Sequence, residues 1–181
     1  MIISVIGTAT ILEEVTGEDA ANICNLRNDP RVNRFLSSQT PVSVEDQKKW
    51  MTLNAARADN FYFKVSDKRS GNFCGTISLY IIKDKEAEFG RYICNSPLQA
   101  MESEFLLLQF GFKVLSLDTI YCRTVAENKS VWNQHYKYGF EDKGTEVFGT
   151  QEMVLNIQEI NKSKYESFDY SFVDKLIKRL Y

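Results

Sequence analysis

The chain has 181 residues, of which 44% are hydrophobic and 25% charged, and its formal net charge is −2. Such a length supports one well-buried core and is short for two, and the composition excludes a disordered chain. Because the charge balance is slightly negative, it gives no electrostatic reason to bind nucleic acid or anionic lipid, and a small-molecule partner is expected.

The four cysteines and the single histidine give no sign of a metal site. Cys24, Cys74, Cys94 and Cys122 form no CxxC pair and have no histidine cluster beside them, so neither zinc binding nor a redox motif is predicted. The N-terminus lacks a basic segment followed by a long apolar one, and no apolar run approaches the ~20 residues that span a bilayer. We therefore expect a cytoplasmic protein that does not associate with a membrane.

The first half of the chain predicts one strand, two helices and three antiparallel strands. Acidic residues in the first turn favour one helix, which ends at Asp29, and Ser43 with Asp46 three residues later indicates the start of the next. The turn-like segment KRSGN separates two runs of apolar and β-branched residues, which is typical of a hairpin. The predicted elements are residues 11–15, 16–29, 43–58, 61–67, 73–82 and 87–94.

The second half predicts a helix over 102–115, a strand over 117–126, a helix over 130–140 and a closing hairpin over 146–160. After a candidate cap at Asn161, apolar residues recur at four-residue steps, at Phe168, Phe172, Leu176 and Leu180, which predicts an amphipathic C-terminal helix. We expect one domain over residues 1–160, with the helix of residues 161–181 packed on it.

Four strings lie along this order of elements: LRNDPRVNRFL, EFGRYI, LLLQFGFKVLSLDTIYCRTVAENKSVW and HYKYGFEDKG. Together they resemble the GNAT superfamily of acyl-CoA-dependent N-acetyltransferases, and more closely its RimJ/RimL-type branch. LRNDPRVNRFLSSQTPVSVEDQKKW and EFGRYI are most similar to the nucleotide-sugar amine N-acetyltransferases of the pseudaminic acid pathway.

The resemblance implies an α/β (α+β) GNAT fold, with a mixed, mostly antiparallel sheet splayed between two parallel strands and flanked by helices. It also implies transfer of an acetyl group from acetyl-CoA, without a metal, to a primary amine by direct aminolysis of the thioester. The expected acceptor is an amino group of a nucleotide-linked amino sugar. Acetylation of a protein N-terminus or a polyamine, or a binding module without catalysis, are the alternatives, and a homodimer is compatible with the exposed faces of the C-terminal helix.

The resemblance also implies which residues hold the cofactor. Tyr92 and Ile93 would pair with pantetheine through their main chains, as an added strand does. The other residues implied at the cofactor are Gln99, Ala100, Met101, Ser103, Asn128 and Trp132. Asn128 also suits a plain helix N-cap.

One departure from the family concerns the loop Q/R-x-x-G-x-G/A, whose backbone N–H groups wrap the CoA pyrophosphate. Gln99 matches its first position, but Glu102 and Glu104 occupy the glycine places. Either the helix N-terminus near Met101 still receives the phosphates with both carboxylates turned outward, or the affinity for CoA is reduced or lost.

His135 and Glu88 are the candidate catalytic residues. Seven residues after Asn128, His135 occupies the place of the family's proton-donating tyrosine, and imidazole exchanges protons near neutral pH; a half-buried packing role is the alternative. Glu88 resembles the carboxylate near the acceptor amine. Period-two alternation places Glu88 and Tyr92 on one strand face, although a solvated strand-edge glutamate is equally compatible.

The acceptor wall is predicted at the end of the first helix, where Arg27, Asn28 and Arg31 would bind a substrate diphosphate unless they are surface residues. Phe35 and Trp50 would stack on a base or sugar, or else pack in the core. Gly75 and Gly90 either permit a β-bulge that frees a backbone N–H or relieve packing.

Overall fold

A single eight-stranded sheet organises the protein. The computed structural model describes residues 3–36, 38–149 and 152–181. The strand order is β1-β2-β3-β4-β5-β6-β8-β7, and every neighbouring pair is antiparallel except β5 and β6. The strands are β1 (Ser4–Ile6), β2 (Thr10–Glu14), β3 (Asn60–Asp67), β4 (Phe73–Lys83), β5 (Glu86–Cys94), β6 (Thr119–Val125), β7 (Glu141–Phe148) and β8 (Met153–Asn161).

Helices cover both faces of this sheet. They are α1 (Ala20–Asn28), α2 (Pro30–Asn33), α3 (Val44–Ala55), α4 (Pro97–Gln109), α5 (Lys129–Tyr136), α6 (Lys162–Ser167) and α7 (Ser171–Leu180). The main core joins α4 and α7 to one sheet face, while a smaller apolar cluster joins α1 and α3 to the other. The mixed, mostly antiparallel sheet flanked by helices that the sequence predicted is confirmed. In the described ranges, no helix is both long and apolar enough to cross a bilayer.

The parallel strands β5 and β6 stay together over only four residue pairs, from Glu86 with Thr119 to Phe89 with Cys122. Within the described residues no further pair follows, so the second half of β5 and the end of β6 diverge. The predicted splay is therefore confirmed, and its closed end lies at Phe89 and Cys122.

Several element boundaries differ from those predicted. The strand β1 was not predicted, β7 begins five residues earlier than the predicted hairpin, and the turn at residues 150–151 lies outside the described residues. The single C-terminal helix was wrong, because α6 and α7 are separated by residues 168–170. In α7 the buried positions are Val173 and Ile177, whereas Leu180 is 61% exposed.

The start of α4 also differs, and the difference changes how Glu102 is interpreted. The helix begins at Pro97 rather than at residue 102, since proline is favoured at the first helical position. Glu102 is therefore inside the helix and buried, and its carboxylate accepts hydrogen bonds from the backbone N–H groups of Thr8 (2.6 Å) and Ala9 (2.8 Å). It fixes the β1–β2 turn on α4.

We predict that Glu102→Ala destabilises the protein by roughly 3 kcal/mol, because two charge-assisted hydrogen bonds are lost and two backbone amides lose their acceptor. Urea unfolding measures the loss. The control is Glu45→Ala, whose exposed pair with Lys49 is expected to contribute less than about 0.5 kcal/mol. Equal losses for the two variants would contradict the structural role of Glu102.

Candidate active site

A cavity opens where β5 and β6 diverge. Its walls include residues 88–93 of β5 and 122–125 of β6, together with Arg27, Asn128 and His135. Because the β5 backbone past Phe89 has no partner on the β6 side in the described structure, its polar groups on that edge are available to an extended ligand. Tyr92 and Ile93, which were predicted to pair with pantetheine, lie in this free segment.

A β-bulge in β5 decides which side chains face each side of the sheet. Thr76 of β4 pairs with Ile93 and Ser78 with Gly90, so that Arg91 and Tyr92 stand opposite one β4 residue. Arg91 has a left-handed backbone conformation with φ of 47°. This extra residue reverses the alternation, and the prediction that Tyr92 shares a face with Glu88 was wrong.

Gly75 and Gly90 flank this bulge, and both lie where a side chain would collide. A Cβ on Gly75 would overlap the carbonyl oxygen of Ile93, and one on Gly90 would approach the Tyr80 hydroxyl to 2.7 Å. The two glycines therefore permit close packing of the strands beside the bulge.

Arg91 lies in a cage of aromatic rings on the α1 side of the sheet. Its guanidinium carbon lies 4.2 Å from the ring centre of Tyr80, 4.8 Å from that of Trp50 and 5.6 Å from that of Tyr62. Such contacts stabilise a cation, and Arg91 also donates to the side-chain oxygens of Asn54 (3.3 Å) and Asn60. Burial lowers the pKa of Arg91 from its ordinary value. The cage holds the bulge in place.

Glu88 faces the same side of the cavity but is not a free carboxylate. It is 3% exposed and accepts hydrogen bonds from the Tyr80 hydroxyl (2.7 Å) and from Arg123 Nε (3.1 Å) and Nη2 (2.8 Å). Arg123 also pairs with Glu146 at 3.0 Å. Burial and the Glu88 charge raise the pKa of Tyr80, which therefore stays a hydroxyl donor. The alternative of a solvated strand-edge glutamate is wrong.

His135 lines the cavity on the α4 side of the sheet, next to Phe89 at the closed end of the splay. The imidazole is 2% exposed, its Nδ1 lies 2.7 Å from Glu104 Oε1, and the rings of Phe89 and Phe140 pack against it at 5.1 and 5.3 Å. Burial by itself lowers the pKa of His135, but the Glu104 carboxylate and the Cys122 thiol outweigh it and raise the pKa well above the ordinary value. The Glu104 carboxylate therefore favours the protonated form of the imidazole.

Comparison with known proteins identifies the family of this fold. Residues 10–141, more than half of the chain, match the family model described as an acetyltransferase (GNAT) domain. The chain belongs to the GNAT acetyltransferase family. As a member it is an acyl-CoA-dependent N-acetyltransferase, and the family resemblance predicted from the sequence is confirmed. The comparison with curated proteins gave no match.

Solved GNAT structures share the fold along nearly the whole chain. FdhC, a nucleotide-linked sugar GNAT, is 22% identical, with a TM-score of 0.78 and 98% of each chain covered. Spermidine N-acetyltransferase from Vibrio cholerae, in complex with CoA and spermine, is 21% identical, with a TM-score of 0.77 over 89% of this chain and 100% of that one. A GCN5-related N-acetyltransferase from Brucella melitensis is 18% identical, with a TM-score of 0.76 over 98% and 84%. At these identities the likeness shows the fold alone.

The cofactor residues predicted in α4, and Trp132 in α5, do not line the cavity. Gln99 is buried and donates to Asp67 Oδ2 at 2.7 Å, while the carbonyls of Ala100 and Met101 accept from Tyr92 and Tyr138. The Ser103 hydroxyl donates to the Ala100 carbonyl at 2.8 Å. In α5, the Trp132 Nε1–H group donates to the carbonyl of Ala126 at 3.0 Å. Any contact of these residues with CoA stays a prediction.

Glu102 and Glu104 are not turned outward, as the first alternative for the glycine-free loop required, whereas the second, a reduced or lost affinity for CoA, stays a prediction. Only Asn95 and Ser96 separate β5 from α4, and both carboxylates point into the protein, where Glu102 binds backbone amides and Glu104 binds His135. Neither is an outward-facing charge of a first helical turn.

Asn128 lies at the start of α5 and lines the cavity, but its side chain makes no capping hydrogen bond to the helix. Its Oδ1 instead accepts a hydrogen bond from the Ser130 hydroxyl at 3.3 Å. Asn128 is therefore the N-cap residue of α5 by position, as predicted, but without a side-chain cap, and contact with pantetheine stays a prediction.

The predicted acceptor residues divide into two groups. Arg27 and Phe35 line the cavity, and the buried Nε of Arg27 has no hydrogen-bond partner among the described residues. Asn28 binds the backbone of Val42, and the Arg31 side chain is 88% exposed and paired with Asp29. Trp50 belongs to the cage around Arg91 rather than to the cavity wall. Their roles toward a substrate remain predictions.

Sequence reasoning missed Arg91, Arg123, Tyr80 and the pairing of Glu104 with His135. Arg123 carried a usable signal, since β6 runs parallel to β5 and alternation places Arg123 on the face of Glu88. Arg91 carried none, because its orientation depends on the bulge. In the part of the chain that the structure describes, no group of three or more His, Cys, Asp and Glu residues is placed to hold a metal ion.

We predict that Arg123→Ala destabilises the protein by on the order of 3 kcal/mol, because it leaves Glu88 buried without its counter-charge. The loss should be smaller at about pH 5 than at about pH 8, since an uncompensated buried carboxylate binds a proton. Urea unfolding at both pH values tests this.

The matched control is Glu146→Ala, which removes the more exposed partner of Arg123 and leaves the Glu88 pair intact. We expect it to cost less than about 1 kcal/mol. A loss for Arg123→Ala that is no larger than this, or that does not depend on pH, would contradict a clamp on Glu88.

Proposed function

We propose that this GNAT enzyme transfers the acetyl group of acetyl-CoA to the primary amine of a nucleotide-linked amino sugar. The observation that supports this acceptor is the charge of the cavity: among the described residues, its wall contains Arg27, Arg91 and Arg123 but one carboxylate, Glu88, already paired with Arg123. A polyamine carries several positive charges and needs unpaired carboxylates in its site. A cationic wall suits an acceptor with phosphates.

Arg27 is the residue best suited to the anionic part of the acceptor. Arg91 is enclosed by its aromatic cage and Arg123 is held between two glutamates, whereas Arg27 lines the cavity with an unpartnered Nε. A guanidinium binds phosphate oxygens in a bidentate manner, and such a contact would provide the missing partner.

The free segment of β5 supports binding of acetyl-CoA. Pantetheine is an extended chain with two amides, and the unpaired β5 backbone at Tyr92 and Ile93 offers it the hydrogen bonds of an added strand. Asn128 lines the same cavity from the start of α5. We propose that these three residues hold the pantetheine arm.

The reaction needs an unprotonated amine and a proton for the departing thiolate. The amine nitrogen attacks the thioester carbonyl carbon, a C–N bond forms, the C–S bond breaks, and the proton lost by the amine balances the one gained by sulfur. Glu88 and His135 lie on opposite faces of β5. Glu88, with Tyr80, would orient the amine and receive its proton, while His135 would donate to the thiolate.

Four further expectations remain predictions. Acetylation of a protein N-terminus stays an alternative acceptor, as does the polyamine acceptor that the cavity charge disfavours. The cytoplasmic location and the homodimer also remain to be tested.

We predict that acetyl-CoA raises the melting temperature in a saturable manner, because a ligand that binds only the folded state stabilises it by about 2.7 kcal/mol at a hundredfold excess over Kd. Differential scanning fluorimetry measures the shift. ADP is the control, since it shares the diphosphate of CoA but lacks pantetheine. If acetyl-CoA at up to about 1 mM does not raise the melting temperature, the result would contradict the enzyme and favour the alternative of a binding module without catalysis.

We predict that thiol release is faster with UDP- or dTDP-linked amino sugars than with polyamines or N-terminal peptides. Arg27→Gln should raise the KM for the sugar nucleotide about tenfold, the effect of losing roughly 1.4 kcal/mol of binding, with a smaller effect on kcat. Arg31→Gln is the matched control, because the structure keeps Arg31 at the surface with Asp29. Equal rates of thiol release for all acceptor classes, or equal effects of the two substitutions on KM, would contradict the proposed acceptor site.

A further inference from the structure

Glu104 and His135 form an ion pair that is enclosed by the protein. The two side chains are 0% and 2% exposed, they come from different helices, α4 and α5, and 2.7 Å separates Oε1 from Nδ1. Desolvating two charges costs several kcal/mol, and apolar residues in place of a buried pair are often equally stable or more stable. Stability alone therefore does not account for the pair, and its place at the wall of the cavity points to a task there.

The hydrogen bonds around Glu104 show which group donates to its Oε2. The Tyr92 hydroxyl donates to the carbonyl of Ala100 (2.7 Å), so it can only accept from Gln134 Nε2 (2.8 Å). The same amide nitrogen donates its second hydrogen to Glu104 Oε2 at 2.7 Å. Glu104 thus accepts at Oε2, and a hydrogen bond from Nδ1–H of His135 would give its Oε1 a donor as well.

The remaining groups packed on His135 are aromatic rings and the thiol of Cys122. Phe89 and Tyr92 approach from β5, Cys122 from β6, and Phe140 from the segment after α5. Burial, followed by the Glu104 charge, raises the pKa of Tyr92, so its hydroxyl stays neutral. Glu104 is therefore the single negative charge facing the ring among these groups, and only a doubly protonated imidazole compensates it.

We propose that Glu104 is a positioning residue that keeps His135 doubly protonated, so that Nε2–H is a permanent proton donor at the cavity. This inference rests on the proposed function and deepens it. On thioester aminolysis the Nε2 proton passes to the departing thiolate sulfur, and the imidazole becomes neutral while Nδ1–H stays bound to Glu104. The proton released by the amine restores the imidazolium, so the reaction is balanced without a further reactant.

The chain has one histidine, which makes a direct test simple. A ¹⁵N or ¹³C NMR titration of the imidazole, in the free protein from about pH 5 to about pH 9, reports the protonation of His135 alone. We expect the wild-type protein to show a cationic imidazole without an inflection across this range. An inflection near the ordinary value of about 6.5 in the wild-type protein would overturn the proposal without any variant.

The variant Glu104→Gln removes the charge but keeps an oxygen acceptor for Nδ1–H. Without the Glu104 charge, burial opposes protonation and only Cys122 still favours it, so the pKa of His135 should fall and an inflection should enter the titrated range. Glu102→Gln is the matched control, since it changes a buried glutamate two residues away on the same helix that contacts Thr8 and Ala9 instead of His135. Similar titrations for Glu104→Gln and the wild-type protein would overturn the assignment to Glu104.

Kinetics separate this role from a purely structural one. Ionisation of the amine affects both enzymes alike, so the ratio of wild-type kcat to Glu104→Gln kcat isolates the proton donor. This ratio should rise about tenfold per pH unit above the pKa of the variant histidine, and a ratio independent of pH would show that Glu104 only supports packing. Failure of the proposed function is recognised separately, because it abolishes the acetyl-CoA shift or equalises thiol release among the acceptors, while the titration of the free protein is unaffected.

Discussion

Arg91 and Tyr92 stand opposite a single residue of β4, and this bulge sets the geometry of the whole cavity. Without it, Tyr92 would point to the α1 side with Glu88, and Arg91 would be driven into the core beneath α4. The left-handed backbone at Arg91 costs free energy that its surroundings must offset. Three aromatic rings and two asparagines hold the guanidinium and stabilise the turn of the backbone.

The bulge also separates two chemically different environments across one strand. On the α1 side, Glu88, Tyr80 and Arg123 form a polar cluster that reaches the surface through Glu146. On the α4 side, His135 and Glu104 lie among aromatic rings and are enclosed. Electrostatic interactions are stronger in the second environment than in the first, because less water is present to screen them. A single strand therefore separates a polar cluster that reaches the surface from an enclosed ion pair.

The sequence predicted the sheet, its splay and the positions of Glu88 and His135 at the cavity, because strand alternation and the family strings depend on neighbours close in sequence. It failed where distant contacts decide. The start of α4 follows Ser96 and Pro97, but the burial of Glu102 depends on Thr8 and Ala9, and that of Glu104 depends on His135. Acidic residues are seldom buried, so a single sequence gives no reason to place two of them inside.

The hydrogen bonds between Glu102 and the β1–β2 turn determine when the N-terminal hairpin can fold completely. Its donors, Thr8 and Ala9, precede the carboxylate by 94 and 93 residues. During synthesis these amides leave the ribosome long before their acceptor exists, so the N-terminal hairpin cannot complete its native contacts until α4 emerges. Such long-range closure is slow compared with local helix formation. A nascent chain that stops short of α4 would carry an edge hairpin with unsatisfied backbone donors, the kind of surface to which chaperones and other unfinished chains bind.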